Sequence, residues 1–220
     1  MRHFIFDMDG TLLDTMPLWE TLGEDFLRLH GKEPKPGFRQ HLIALSMIEA
    51  AEMFEREYGF TESVPQIVQA LDDMARGFYT DKAPAKPGVI EALQCLADNN
   101  IPCVVATASD RELATAAFKR TGMQHFFQKI YTCTELGISK DNPAFFQVLL
   151  EKEQIPADQA VVVEDALHAI RSARKDNIPV LAIYDDSDKE HWEEIKSLAN
   201  WAMEDWSQFP AEKLGLKTGK

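Results

Sequence analysis

Cysteine is scarce in this 220-residue chain. Cys95, Cys103 and Cys133 are odd in number, widely spaced and without a CxxC pair, which leaves no basis for a disulfide framework or a thiolate zinc site. Basic charge is short as well: 23 Lys and Arg stand against 36 Asp and Glu, a formal charge of −13. So acidic a chain lacks the basic footprint that nucleic acid or an anionic membrane surface requires. No apolar run approaches the roughly 20 residues of a membrane span, and Phe4-Ile5-Phe6 is too short for the core of a signal peptide. Cytoplasmic residence is the default expectation; a monomer or weak dimer is also expected, though not from these absences. From Asp185 to Asp205 eight acids accompany two bases, which reads as a solvated face near the C-terminus rather than a site.

What the chain does have is pattern. A strand over about residues 3–7 precedes a stretch, 16–82, that reads helical throughout. Apolar residues recur at helical spacing in Leu18, Leu22, Phe26 and Leu29, then in Ile43, Met47, Ala50, Ala51 and Phe54, then in Val64, Ile67, Val68, Leu71 and Met74. Gly31 and Gly59 separate these runs, and Pro84 and Pro87-Gly88 close the region. Beyond it, helices predicted at 88–99, 110–121, 143–153 and 166–176 alternate with apolar strands at 103–106, 130–132, 160–163 and 180–183. Unalternating apolar strands joined by helices imply a parallel sheet covered on both faces. "NNIPCVVA" and "DNIPVLAI" repeat one device, Asn at a helix end and Pro opening a buried strand. The expected architecture is a doubly wound, Rossmann-like α/β core, residues 1–14 and 83–220, with a helical cap domain, 15–82, inserted after strand one.

Ligands of open parallel sheets bind beyond the carboxyl ends of the strands. There the first strand offers Asp7 and Asp9, on one side by strand alternation. Two carboxylates so close require a cation or a shared proton. Thr107 ends the second strand, Lys140 follows the third, and Glu164-Asp165 ends the fourth. Oxygen ligands of this kind favour magnesium. With the repulsion relieved, Asp7 could attack phosphorus and Asp9 could pass a proton to the leaving alcohol and take one from water. Thr107 precedes "SDRE", a capping-box pattern of Ser109 and Glu112 that places a helix N-terminus suited to anions beside it. Lys140 would hold the phosphate and balance Asp7. By average residue frequencies Asp-x-Asp-Gly-Thr arises by chance in roughly one chain in several hundred of this length.

Asp7-Met8-Asp9-Gly10-Thr11, Thr107 in "VVATAS", Lys140 in "ISKDNPAFF" and Glu164-Asp165 in "VVVEDA" resemble, in order, the four motifs of the haloacid dehalogenase superfamily. The helical insert resembles the type-one cap of its phosphoglycolate phosphatase and β-phosphoglucomutase branch. The resemblance implies Asp7 as nucleophile and Asp9 as acid and base. It implies magnesium held by Asp7, the Asp9 carbonyl and Asp165, with Glu164 contributing, and phosphate held by Thr107 and Lys140. A second Asp disfavours the dehalogenases and the phosphonoacetaldehyde hydrolases. The implied activity is hydrolysis of a small phosphorylated metabolite, a sugar or polyol phosphate; a sugar-phosphate mutase and a non-catalytic phospho-ligand binder are the alternatives. Two departures stand out. The third motif reads Ser139-Lys140-Asp141-Asn142-Pro143 rather than Gly-Lys-Pro. Met47 stands where the mutases keep a cap arginine, with Arg39 and His41 as nearby substitutes. Met16, Trp19, Met47, Met53 and Phe54 read as helix-packing core rather than a substrate box.

Overall fold

The computed structural model describes residues 2–42, 45 and 47–217, with the backbone alone of Gln40 and His41. Ile43 and the His41 side chain, both named above, lie outside the described residues. Along the chain, β1 (His3–Phe6) is followed by α1 (Met16–Leu29), α2 (Phe38–Leu42), α3 (Met47–Tyr58) and α4 (Val64–Asp81). Then come α5 (Val89–Asp98), β2 (Cys103–Thr107), α6 (Arg111–Thr121), β3 (Lys129–Thr132), α7 (Cys133–Leu136) and α8 (Phe145–Glu153). The chain continues through β4 (Ala160–Glu164), α9 (Leu167–Lys175), β5 (Val180–Ile183), α10 (Trp192–Leu198) and β6 (Trp201–Met203). Two compact units result, Met1–Asp14 with Ala83–Lys220, and Thr15–Lys82.

In the first unit the described strands form one parallel sheet in the order β3-β2-β1-β4-β5-β6. Strand β1 is central and covered on both faces. Ile5 joins a core of Val104, Val162, Phe146, Leu149 and Ile170, while Phe4 and Phe6 stack with ring centroids 5.9 Å apart. All five residues of β2 and of β4 are buried, which explains why neither alternates in sequence. Register aligns Phe6 with Val105 and Val163, so the residues after β1, β2 and β4 emerge side by side. Between β1 and β4 the winding reverses direction, the switch point at which such sheets open a crevice. Asn100 and Asn177 take positive φ, 55° and 56°. The N–H groups of Ile101 and Ile178 then return to the carbonyls of Leu96 and Ala173 at 3.0 and 3.1 Å, the helix-ending motif that the repeated Asn signalled.

The acid-rich segment is more than a solvated face. It contains α10 and the edge strand β6, and Trp192, Ile195 and Met203 within it are buried. Its short strand carried too few apolar residues to register as a pattern.

In the second unit a core of Leu22, Phe26, Leu27, Phe38, Met53, Phe54, Ile67 and Leu71 gathers the helices, with Phe26 stacked on Phe54 at 5.5 Å. Trp19 and Met47 pack against this core, and the Trp19 indole donates to the Tyr79 hydroxyl at 2.9 Å. One expectation fails: Leu29 is 71% exposed, and Leu27 is the fully buried residue of that turn. Leu29 lies at the exposed end of α1, with Arg28 and His30 exposed beside it. Leu27→Ala is therefore expected to cost about 2–5 kcal/mol, and Leu29→Ala within about 0.5 kcal/mol, in equilibrium urea unfolding followed by helical circular dichroism. Equal losses would contradict this helix face.

Candidate active site

Asp7 extends the sheet by one residue, its N–H donating to the Val163 carbonyl at 2.9 Å. The chain then closes on itself: the Met8 carbonyl accepts from the N–H groups of both Leu12 and Leu13 at 2.9 Å, and Gly10 N–H donates to the Leu13 carbonyl at 2.9 Å. Met8 between the two carboxylates is fully buried, Asp7 is buried and Asp9 is half-buried. Gly10 is required twice over. Its φ is +82°, and a Cβ there would overlap the Asp165 carboxylate. Thr11 ties the same carboxylate down, its hydroxyl donating to Asp165 Oδ1 at 2.7 Å. The Thr11 carbonyl in turn accepts from the Trp206 indole at 3.0 Å.

Lys140 reaches the site from the loop after α7 and is buried. Its ammonium binds Asp7 Oδ1 directly and Glu164 Oε1 at 2.9 Å. The loop is positioned by backbone capture: Ser172 of α9 donates to the Asn142 carbonyl at 3.0 Å, and Asn142 Oδ1 accepts from Ala144 N–H at 3.0 Å. Asn142 thus performs the anchoring, and the departure from Gly-Lys-Pro does not prevent the lysine from arriving. Both oxygens of Glu164 are occupied. Oε1 takes Lys140, and Oε2 accepts from the N–H groups of Asp165 and Ala166 at 2.7 and 3.0 Å. Glu164 consequently orients the lysine and rigidifies the turn that carries Asp165.

The electrostatics follow from counting. Three buried carboxylates, Asp7, Glu164 and Asp165, present ligand oxygens within 4.8 Å of one another, with one ammonium among them. Burial pushes the Asp7 carboxyl up to about 8; Lys140 opposes this, while Glu164 and Asp9 add to it. Burial and the charges of Glu164 and Asp7 hold Asp165 well above the usual carboxylate range, with Asp185 contributing. Glu164 goes the other way: burial works against its charge, but Lys140 and the Ala166 N–H hold it below the ordinary value. Burial likewise opposes the charge of Lys140, and its two carboxylate partners still hold it above the usual lysine range. Asp7 and Asp165 are thus short of positive charge, and an oxygen-only donor set of this kind fits a hard divalent cation.

Thr107 ends β2, fully buried, and its Oγ1 accepts from Ser109 N–H at 3.0 Å. Ser109 does not take the N-cap position expected of it. Helix α6 starts at Arg111 with Asp110 as its extended N-cap, and the Ser109 hydroxyl instead donates to Asp9 Oδ2 at 2.7 Å. Ser109 belongs to the site as a partner of Asp9. In sequence it reads as half of a capping-box pattern, and its place two residues beyond the end of β2 is the signal for a site role.

The family model described as haloacid dehalogenase-like hydrolase matches residues 4–183. The chain is 21% identical over 178 residues to a phosphorylated carbohydrates phosphatase of Thermotoga maritima, covering 81% of this chain and 82% of the relative. It is 24% identical over 196 residues to hexitol phosphatase A of Escherichia coli, covering 88% of each. The fold is shared with CbbY of Rhodobacter sphaeroides, solved with phosphate, at a TM-score of 0.76 and 18% identity over 96% of both chains.

A cation competing with the Asp7 proton makes binding pH-dependent. Unfolded, this carboxyl would release its proton near 3.8; folded, it keeps it to about 8. The group therefore favours the cation-free fold most below about pH 4, and that contribution is lost as pH rises through 8. If a divalent cation is held here, its affinity measured calorimetrically is expected to rise from about pH 6 to about pH 8 and then level, with proton release that shrinks over the same range. An affinity unchanged across this range would contradict a protonated Asp7.

Proposed function

The chain belongs to the haloacid dehalogenase-like hydrolases, and from that premise we propose that it is a magnesium-dependent phosphomonoester hydrolase acting on a small sugar or polyol phosphate. The observation that carries this reading is the buried group of Asp7, Lys140, Glu164 and Asp165 at the switch point between β1 and β4. The phosphatase names and carbohydrate or hexitol substrates of the relatives support the substrate class. Asp7, the Asp9 carbonyl and Asp165 would hold the magnesium ion. Glu164 is left to Lys140 and the two backbone N–H groups it already engages. When bound, the cation supplies charge that offsets the carboxylates and the phosphoryl oxygens.

The remaining chemistry belongs to the chain. An oxygen of Asp7 attacks phosphorus; its bond to phosphorus forms as the bond to the leaving oxygen breaks, and Asp9 delivers a proton to that oxygen. Asp9 then takes a proton from water as the water oxygen attacks the same phosphorus, which releases phosphate and restores Asp7. Ser109, by donating to Asp9 Oδ2, orients that carboxyl for both transfers. Thr107 and Lys140 bind the transferring phosphoryl group, and the lysine also compensates charge on Asp7. The helical unit, 15–82, acts as the cap domain that selects substrate. A bisphosphate-requiring mutase is disfavoured. Met47 packs against the core of the helical unit, and the Arg39 Nε donates to Glu24 at 3.2 Å.

The test is phosphate release from a panel of sugar and polyol phosphates. Asp7→Asn is expected to lower kcat by at least about 10³-fold, and Ser109→Ala by about 3- to 30-fold with magnesium affinity unchanged. Undiminished release by Asp7→Asn would remove the aspartyl-phosphate route. Accumulation of an isomer without free phosphate would replace the hydrolase by a mutase.

A further inference from the structure

Lys86 is a nearly buried lysine that the chemistry above does not use. Its ammonium pairs with Asp185 Oδ2 at 2.8 Å, with 12% and 8% of the two side chains exposed, and donates to the Tyr184 carbonyl at 3.0 Å. Its own N–H donates to the Leu12 carbonyl at 2.9 Å. Next to it, Ala85 bridges Leu13 in antiparallel fashion, and the Pro84 carbonyl accepts from Asp14 N–H at 2.9 Å. One residue therefore joins the turn that carries Asp7 and Asp9 to the loop that leaves β5. That loop stands beside the end of β4, where Asp165 emerges.

Asp185 is built into the fold with both oxygens committed. Oδ1 accepts from the Ser187 N–H and hydroxyl at 3.0 and 2.6 Å, and Oδ2 takes Lys86. Its negative charge is nonetheless among those felt at Asp165. Without Lys86 a fourth buried carboxylate would face a cluster already short of positive charge.

We infer that Lys86 and Asp185 form a positioning pair whose near-cancelling charges set the balance of cation and anion affinity at the active site, while the Lys86 backbone keeps the Asp7 turn in place. The inference rests on the magnesium-phosphatase reading above. Its consequence is a pair of effects with opposite signs. Removing the ammonium exposes Asp185 and should strengthen magnesium binding while weakening inorganic phosphate. Removing the carboxylate charge exposes Lys86 and should do the reverse.

The experiment is isothermal titration of magnesium, and separately of inorganic phosphate at saturating magnesium, into purified full-length protein freed of metal with a chelator. The forms compared are wild type, Lys86→Met, Asp185→Asn, the double variant and Lys86→Arg, each with its melting temperature measured. Lys86→Met is expected to lower the magnesium Kd by about three- to tenfold, and Asp185→Asn to raise it by a similar factor. The double variant and Lys86→Arg should return within about twofold of wild type. Phosphate should shift in the opposite direction in each single variant. Breaking a buried pair can prevent folding; if Lys86→Met does not fold, Asp185→Asn against the double variant and Lys86→Arg decides the sign. Unchanged Kd values, or weakening of both ligands in step with lost thermal stability, would overturn the inference and leave a purely structural brace. A wild-type protein that binds no magnesium would overturn the cofactor reading instead, whatever the variants do.

Discussion

The excess of buried negative charge between β1 and β4 is the constraint on which this site is built. Asp7, Glu164 and Asp165 lie within reach of a single ion, and one ammonium does not neutralise three carboxylates. A folded chain tolerates such a group only if protons or a cation complete the balance. The surrounding structure secures it with directed bonds: Lys140 spans Asp7 and Glu164, Thr11 holds Asp165, and backbone N–H groups hold Glu164. Much of the loop structure at the carboxyl edge of the sheet serves this electrostatic problem.

The solution divides labour between residues of the same type. Glu164 and Asp165 are adjacent in sequence, yet their environments push them in opposite directions. Lys140 and two N–H groups favour the charged form of Glu164, whereas Asp165 has a hydroxyl partner and three neighbouring negative charges. A similar contrast separates the carboxylates flanking Met8. Asp7 is buried and tied to a lysine, while Asp9 is half-buried and tied to a hydroxyl. In the proposed reaction these different surroundings would suit Asp7 to attack and cation binding and Asp9 to moving protons.

Much of this was legible in the linear chain. The strand-helix alternation from residue 88 onward, the Asn-Ile-Pro repeat and the order of Asp7, Thr107, Lys140 and Glu164-Asp165 pointed to a doubly wound sheet with its chemistry at one edge. Those features are local or periodic, and a parallel sheet turns periodicity into position because its connections have a fixed sense. Leu29 and β6 were less legible. A single exposed leucine keeps the spacing of a buried one, and a three-residue edge strand carries too little pattern to be distinguished from acidic surface.

The sequence by itself determined the kind of fold, the turn that only Gly10 permits, and the inventory of charged groups that must meet beyond the strands. Only the tertiary structure decided which partner each group takes. Ser109 engages Asp9 rather than capping α6, Glu164 engages Lys140, and Lys86 engages Asp185 across 99 positions of chain. These choices depend on distances between loops that are remote in sequence. Burial then makes every pairing consequential, because a charge removed from water depends on its few neighbours for stabilisation.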